Sequence, residues 1–166
     1  MKDKIIKYLK ELIIFFILVA IFANIISFYR SGSLMQERFN FTEIKTIDKK
    51  FYKIKRDEPI MVHFWATWCP TCKLEASNIE YISKRYNVLT IAVKSGSDAD
   101  IRDYLKKSDL DFSVVNDSEG LLAKRYGVHV FPTTIIYDRD GDMIFSDIGY
   151  TSTLGLWLKM LWAEFR

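Results

Sequence analysis

The chain contains two cysteines, Cys69 and Cys72, three positions apart with Pro70 and Thr71 between them. Two thiols at this spacing either exchange electrons with another dithiol or disulfide, or hold a soft metal ion. They fall where an apolar run of strand length, Ile60 to Ala66, gives way to a helical period carried by Leu74, Ile79, Ile82 and Tyr86. A cysteine at a helix entrance meets the unpaired backbone N–H groups and the positive end of the dipole, which favours thiolate over thiol. Cys69 is therefore expected to be the exposed, attacking sulfur. Cys72, one turn inside, is expected to be the buried sulfur that resolves a mixed disulfide. Pro70 suits the first helical turn, where a missing N–H costs nothing. A structural zinc site would need four ligands, and the chain adds only His63 and His129, one in a strand and one in a loop. Lys73 after Cys72 breaks the haem-attachment pattern. No metal and no cofactor are expected beyond the cysteine pair itself.

The elements that must position this pair read as alternating strands and helices after Pro59. Val88 to Val93 is a second buried-type strand, and Ser97 or Asp98 caps a helix holding Ile101, Tyr104 and Leu105. Asn87 is expected to close the cysteine helix. Phe112 to Val115 reads as a third strand, Asn116 to Ser118 as a turn, and a short helix ends at Tyr126-Gly127. Thr133 to Tyr137 is β-branched, Asp138 to Gly141 a tight turn, and Met143 to Phe145 its antiparallel return. An apolar-rich helix from Thr151 closes the chain. This order predicts an α/β fold with a central mixed sheet and helices on both faces.

The N-terminus is of a different kind. Leu12 to Tyr29 carries no charge, with Asn24 and Ser27 its clearly polar residues. At ~1.5 Å per residue these roughly 18 residues nearly cross a ~30 Å hydrocarbon core. The run reads as a transmembrane helix, longer than a signal-peptide core, although Ser31-Gly32-Ser33 keeps cleavage open. Lys2, Lys4, Lys7 and Lys10 precede it, so the N-terminus is expected in the cytoplasm and everything after Arg30 outside. The chain thus divides into a cytoplasmic tip and anchor at 1–30, a connection at 31–58 with a candidate edge strand in residues 41–48, and a working domain at 59–166. The first eleven residues contribute +2 of the net charge of +3, and the near-neutral remainder excludes a nucleic-acid partner. Two cysteines in one motif also rule out a disulfide framework.

Phe64-Trp65-Ala66-Thr67-Trp68-Cys69-Pro70-Thr71-Cys72 resembles the signature of thioredoxin-like proteins, above all the membrane-tethered TlpA, ResA and suppressor-of-copper-sensitivity D-type members. Glu75, three residues beyond Cys72, and Val130-Phe131-Pro132-Thr133-Thr134 match the family at separate positions. The resemblance covers about residue 58 to the C-terminus. It implies a thioredoxin-like fold, a cis Pro132 facing the disulfide, and a Phe131 backbone that pairs with an extended substrate segment. It also implies an acidic role for Glu75 as proton acceptor or tuner of Cys72. Trp68, Pro70, Thr71 and Phe131 would form the substrate-facing rim. His63 departs from the pattern, standing where relatives carry Asp or Asn; a titratable imidazole beneath the site could serve proton transfer. Ser77 replaces a helix-kinking proline.

The leading reading is thus an extracytoplasmic thiol-disulfide oxidoreductase acting on exported protein thiols or disulfides. Its electrons would come from a membrane thiol-disulfide carrier. The resemblance favours the reductant direction, serving cytochrome c maturation or copper-protein thiols. A disulfide-donating oxidant uses the same residues, and a copper-binding module would hold Cu(I) on the two thiolates with His63 or His129 as third ligand.

Overall fold

The computed structural model describes residues 8, 10–12, 14, 38–55 and 57–166. The expected membrane span therefore lies outside the described residues, Leu12 and Ile14 excepted; among the described residues no helix is long and apolar enough to cross a membrane.

Five strands make the central sheet: β3 (Ile60–Trp65), β4 (Asn87–Val93), β5 (Val114–Asp117), β6 (Thr133–Tyr137) and β7 (Met143–Ile148). Their order is β5-β4-β3-β6-β7. β3, β4 and β5 are mutually parallel, while β6 and β7 run antiparallel to their neighbours. The three inner strands, β4, β3 and β6, are buried at every residue. A near-continuous apolar run is what such a strand requires, since both of its faces are covered. Alternation then sends Met61 and Trp65 into one layer and Ile60, Val62 and Phe64 into the other.

The first layer is covered by α1 (Pro70–Ser83), α2 (Asp98–Lys107) and α4 (Thr153–Glu164), which contribute Ile79, Ile82, Ile101, Leu105, Leu156 and Met160. Short α3 (Leu121–Arg125) and the N-terminal segment cover the second, where Ala123 and Tyr126 meet Phe39. Ser97 is the cap of α2, in a reciprocal box with Asp100: the Ser97 hydroxyl accepts from Asp100 N, and the Asp100 carboxylate accepts from Ser97 N at 2.8 Å. Ser97→Ala is expected to cost about 1 kcal/mol, read as a lower denaturant midpoint at unchanged slope.

Three local readings shift. Residues 41–48 do contain a strand, β1 (Glu43–Lys45), but it pairs with β2 (Phe51–Lys53) in a two-stranded sheet of its own. Just past β1, Ile47 N donates to Val114 O of the main sheet at 2.9 Å. Asn87 opens β4 rather than closing α1, which ends at Ser83; there Asn87 accepts a hydrogen bond from Tyr52 of the hairpin. The third strand runs through Asp117 because that carboxylate is turned to use, accepting from Leu122 N and Ala123 N at the start of α3.

Candidate active site

The β3–α1 junction delivers the cysteine pair to the end of the sheet where the chain also enters β6. Cys69 is the N-cap of α1, with extended backbone, and its Sγ accepts from Cys72 N at 3.2 Å. Pro70 follows at the first helical position. Cys69 and Cys72 are joined as a disulfide with Cα atoms 5.3 Å apart. Opposite stands the loop before β6, where the Phe131–Pro132 peptide bond is cis, as the resemblance implies. Phe131 O lies 3.7 Å from Cys69 Sγ.

Cys72 is buried as expected, but Cys69, expected to be exposed, is only 5% accessible. Its sulfur is drawn back over the first turn of α1 by the bond to Cys72 and closed from the other side by the Phe131 carbonyl. The rim is more open: Trp68 and Pro70 are exposed, Thr71 and Phe131 half-buried. Trp68 does not pack into the core. Its indole N–H donates to Lys94 O at 3.1 Å, and its ring meets Phe131 edge-to-face at 5.8 Å, so it forms a fixed wall beside the pair. Trp65 does pack inward, against Tyr104 and Phe112.

Glu75 lies one turn beyond Cys72 and is fully buried. Oε1 accepts from Thr151 N at 2.9 Å, while Oε2 has no hydrogen-bond partner among the described residues. Burial pushes its carboxyl up to about 7, the Thr151 bond works against that rise, and the charge of Asp147 adds to it. His63 is buried in β3, on the layer that holds α1, and Nδ1 shares a hydrogen bond of 2.9 Å with Thr134 Oγ1. Desolvation lowers it to about 3, so the imidazole is neutral at physiological pH. His129 is exposed on its loop. Among the described residues no group of three His, Cys, Asp or Glu side chains could hold a metal ion.

The structure therefore brings Cys69, Cys72, Phe131, Pro132, Trp68 and Glu75 to one region, with His63 in the layer beneath. Sequence reasoning missed Lys94, whose carbonyl anchors Trp68, and Thr151, whose amide holds Glu75. Neither residue type carries a signal, because the backbone makes both contacts.

Thiol–disulfide exchange is the chemistry open to such a pair, and its setting on a helix end beside a proline loop makes this a thioredoxin-like oxidoreductase. The AhpC/TSA family profile matches residues 37–146, and the chain belongs to that family. A thioredoxin-like protein of Haemophilus influenzae is 31% identical over 166 residues, which cover 98% of each chain. The thiol-disulfide oxidoreductase ResA of Bacillus thuringiensis is 33% identical over 106 residues, 61% of this chain and 60% of that one. Among solved structures, the exposed lipoprotein thioredoxin of Streptococcus pneumoniae superposes with a TM-score of 0.62 at 26% identity, over 72% of this chain and 96% of that one. The chain is thus a thiol-disulfide oxidoreductase of the ResA type, working through the Cys69–Cys72 pair rather than a bound cofactor.

Proposed function

We propose that the protein is a membrane-anchored, extracytoplasmic reductant of exported protein disulfides. Residues 12–29 would be the anchor, residues 1–11 would face the cytoplasm, and the domain from 59 onward would work outside. The apolar run behind four lysines supports this placement, as does the likeness to an exposed lipoprotein thioredoxin.

The observation that carries the mechanism is the site geometry: Cys69 caps α1 and faces Phe131 O across 3.7 Å, with buried Glu75 one turn beyond Cys72. In the reduced enzyme the Cys69 thiolate attacks one sulfur of a substrate disulfide, and the other leaves as a thiol. Glu75 takes the proton of Cys72, whose thiolate then attacks Cys69, forming the enzyme disulfide and releasing the second substrate sulfur. Two electrons pass to the substrate. The Phe131 backbone would pair with the extended substrate segment, Pro132 would shape that lip, and Trp68, Pro70 and Thr71 would form its rim. His63, held uncharged by burial and tied to Thr134, would be a poor proton acceptor and would instead serve as a neutral hydrogen-bonding group below the pair. A membrane thiol-disulfide carrier would return the electrons, and cytochrome c or copper-protein thiols fit as substrates. For the copper reading, His129 stands on an exposed loop, and among the described residues no group of three His, Cys, Asp or Glu side chains gathers at the pair.

The direction is tested by equilibrating the full chain, in detergent, with glutathione buffers and following tryptophan fluorescence with alkylation and mass. A potential below about −220 mV is expected. A value above about −150 mV would reverse the direction to disulfide donation.

A further inference from the structure

Glu75 lies on the buried face of α1 with Cys72, Ile79 and Ile82, the face that packs on a layer crossed by a polar row. Thr90 on β4, His63 on β3, Thr134 on β6 and Asp147 on β7 are successive register partners. Their neighbours two residues away, Met61, Trp65, Val88, Ala92 and Ile136, all belong to the layer beneath α1 and α4. Along this row the Thr90 hydroxyl donates to Ser113 O at 3.0 Å, and His63 bonds Thr134. At its outer end both Asp147 oxygens accept from Lys159 Nζ of α4, at 2.5 and 2.6 Å. That pair is only partly exposed, 28% for Lys159 and 16% for Asp147. The sheet needs no such row for packing: each buried polar group must recover a hydrogen bond merely to break even.

Glu75 faces few other charges. On its own helix Cys72 is one turn back, and Glu80 is committed to Lys84 and to the amides of Asp111 and Phe112. The opposing strands bring His63 and Asp147, and α4 brings Lys159, with Glu164 exposed at its far end. Asp147 is the one whose charge bears on the Glu75 carboxyl, and Lys159 is its counter-ion.

We propose that the Asp147–Lys159 ion pair is a positioning element for thiol exchange, the solvent-reached end of a polar row that controls when Glu75 can accept the proton of Cys72. This rests on the exchange mechanism above and extends it to two residues outside the reacting atoms. Lys159 offsets part of the Asp147 charge, so Glu75 ionises at a lower pH than it would beside a bare Asp147.

The test is single-turnover resolution of the mixed disulfide. Reduced full chain in detergent is mixed with oxidised glutathione from pH 5 to 9, quenched with acid, and its mixed and internal disulfides are quantified by mass. The resolution rate should rise with pH through a midpoint that Glu75→Gln abolishes. Lys159→Met leaves the Asp147 charge bare and should move that midpoint up by on the order of one pH unit. Asp147→Asn should move it down by a similar amount, and Lys159→Arg should keep the parent profile. Opposite shifts are not a consequence of generic destabilisation. Shifts in one direction, or none, would overturn the proposal. So would a midpoint that survives Glu75→Gln, an outcome that would leave the exchange reading itself standing. Absence of any glutathione adduct in the parent would instead sink the exchange reading itself, and this proposal with it.

Discussion

Glu75→Gln, unfolded by denaturant at a series of pH values, is expected to show a loss of stability toward acid that the parent chain conceals. His63 is held neutral down to about pH 3, whereas an unfolded histidine takes a proton near 6.5. Between those values the unfolded state binds the extra proton, so stability falls by about 1.4 kcal/mol for each unit of acidification. Glu75 works in the other direction. Its carboxyl keeps the proton up to about 7, while in the unfolded chain it ionises near 4.5, so its contribution is full at acid pH and is lost as pH rises through that window. From about pH 4.5 to 6.5 the two slopes cancel. Removing Glu75 leaves the histidine slope alone, and stability should drop by about 3 kcal/mol between pH 6.5 and 4.5 relative to the parent. His63→Asn should leave the opposite slope, with about 3 kcal/mol lost as pH rises from 4.5 to 7. Exposed carboxylates shift all three proteins alike and drop out of the comparison. A Glu75→Gln curve parallel to that of the parent over this range would mean that Glu75 does not hold its proton.

Cys69→Ser is expected to lower disulfide exchange by roughly 10³-fold or more, because a hydroxyl at the same helix end has no comparable anionic fraction at neutral pH. Cys72→Ser should fail differently. Cys69 can still attack, but no internal thiol can displace the substrate, so a mixed disulfide on Cys69 should accumulate to one equivalent and register as an added mass. Adducts on the Cys69→Ser protein and none on Cys72→Ser would exchange the two roles. Two silent variants, with Cu(I) lost from both, would favour the metal-holding alternative.

The cysteine site was legible because its parts are local. An apolar strand running into Cys-Pro-Thr-Cys and then into a helical period fixes the junction, and Phe131-Pro132 marks the facing loop. What stayed hidden is long-range or works against composition. Asp117 looks like a turn residue and is a buried cap; Asn87 looks like a helix end and is the anchor for Tyr52. The strands of the N-terminal hairpin are three residues each, too short to show a period. Burial of Cys69 depends on the Phe131 carbonyl 62 residues away, and the Asp147–Lys159 pair on two elements meeting across the layer. Neither leaves a mark in a sequence window.

The two halves of the site come into being at different times. Cys69 and Cys72 are three residues apart and can close on each other in a chain with no tertiary structure at all. The lip that faces them arrives with β6, more than 60 residues further along, and seats only when that strand adds antiparallel to β3. Such non-local pairing belongs to the slow part of folding. During biogenesis the cysteine pair therefore exists before the lip that would choose its partners, and discrimination among substrates waits on the docking of β6.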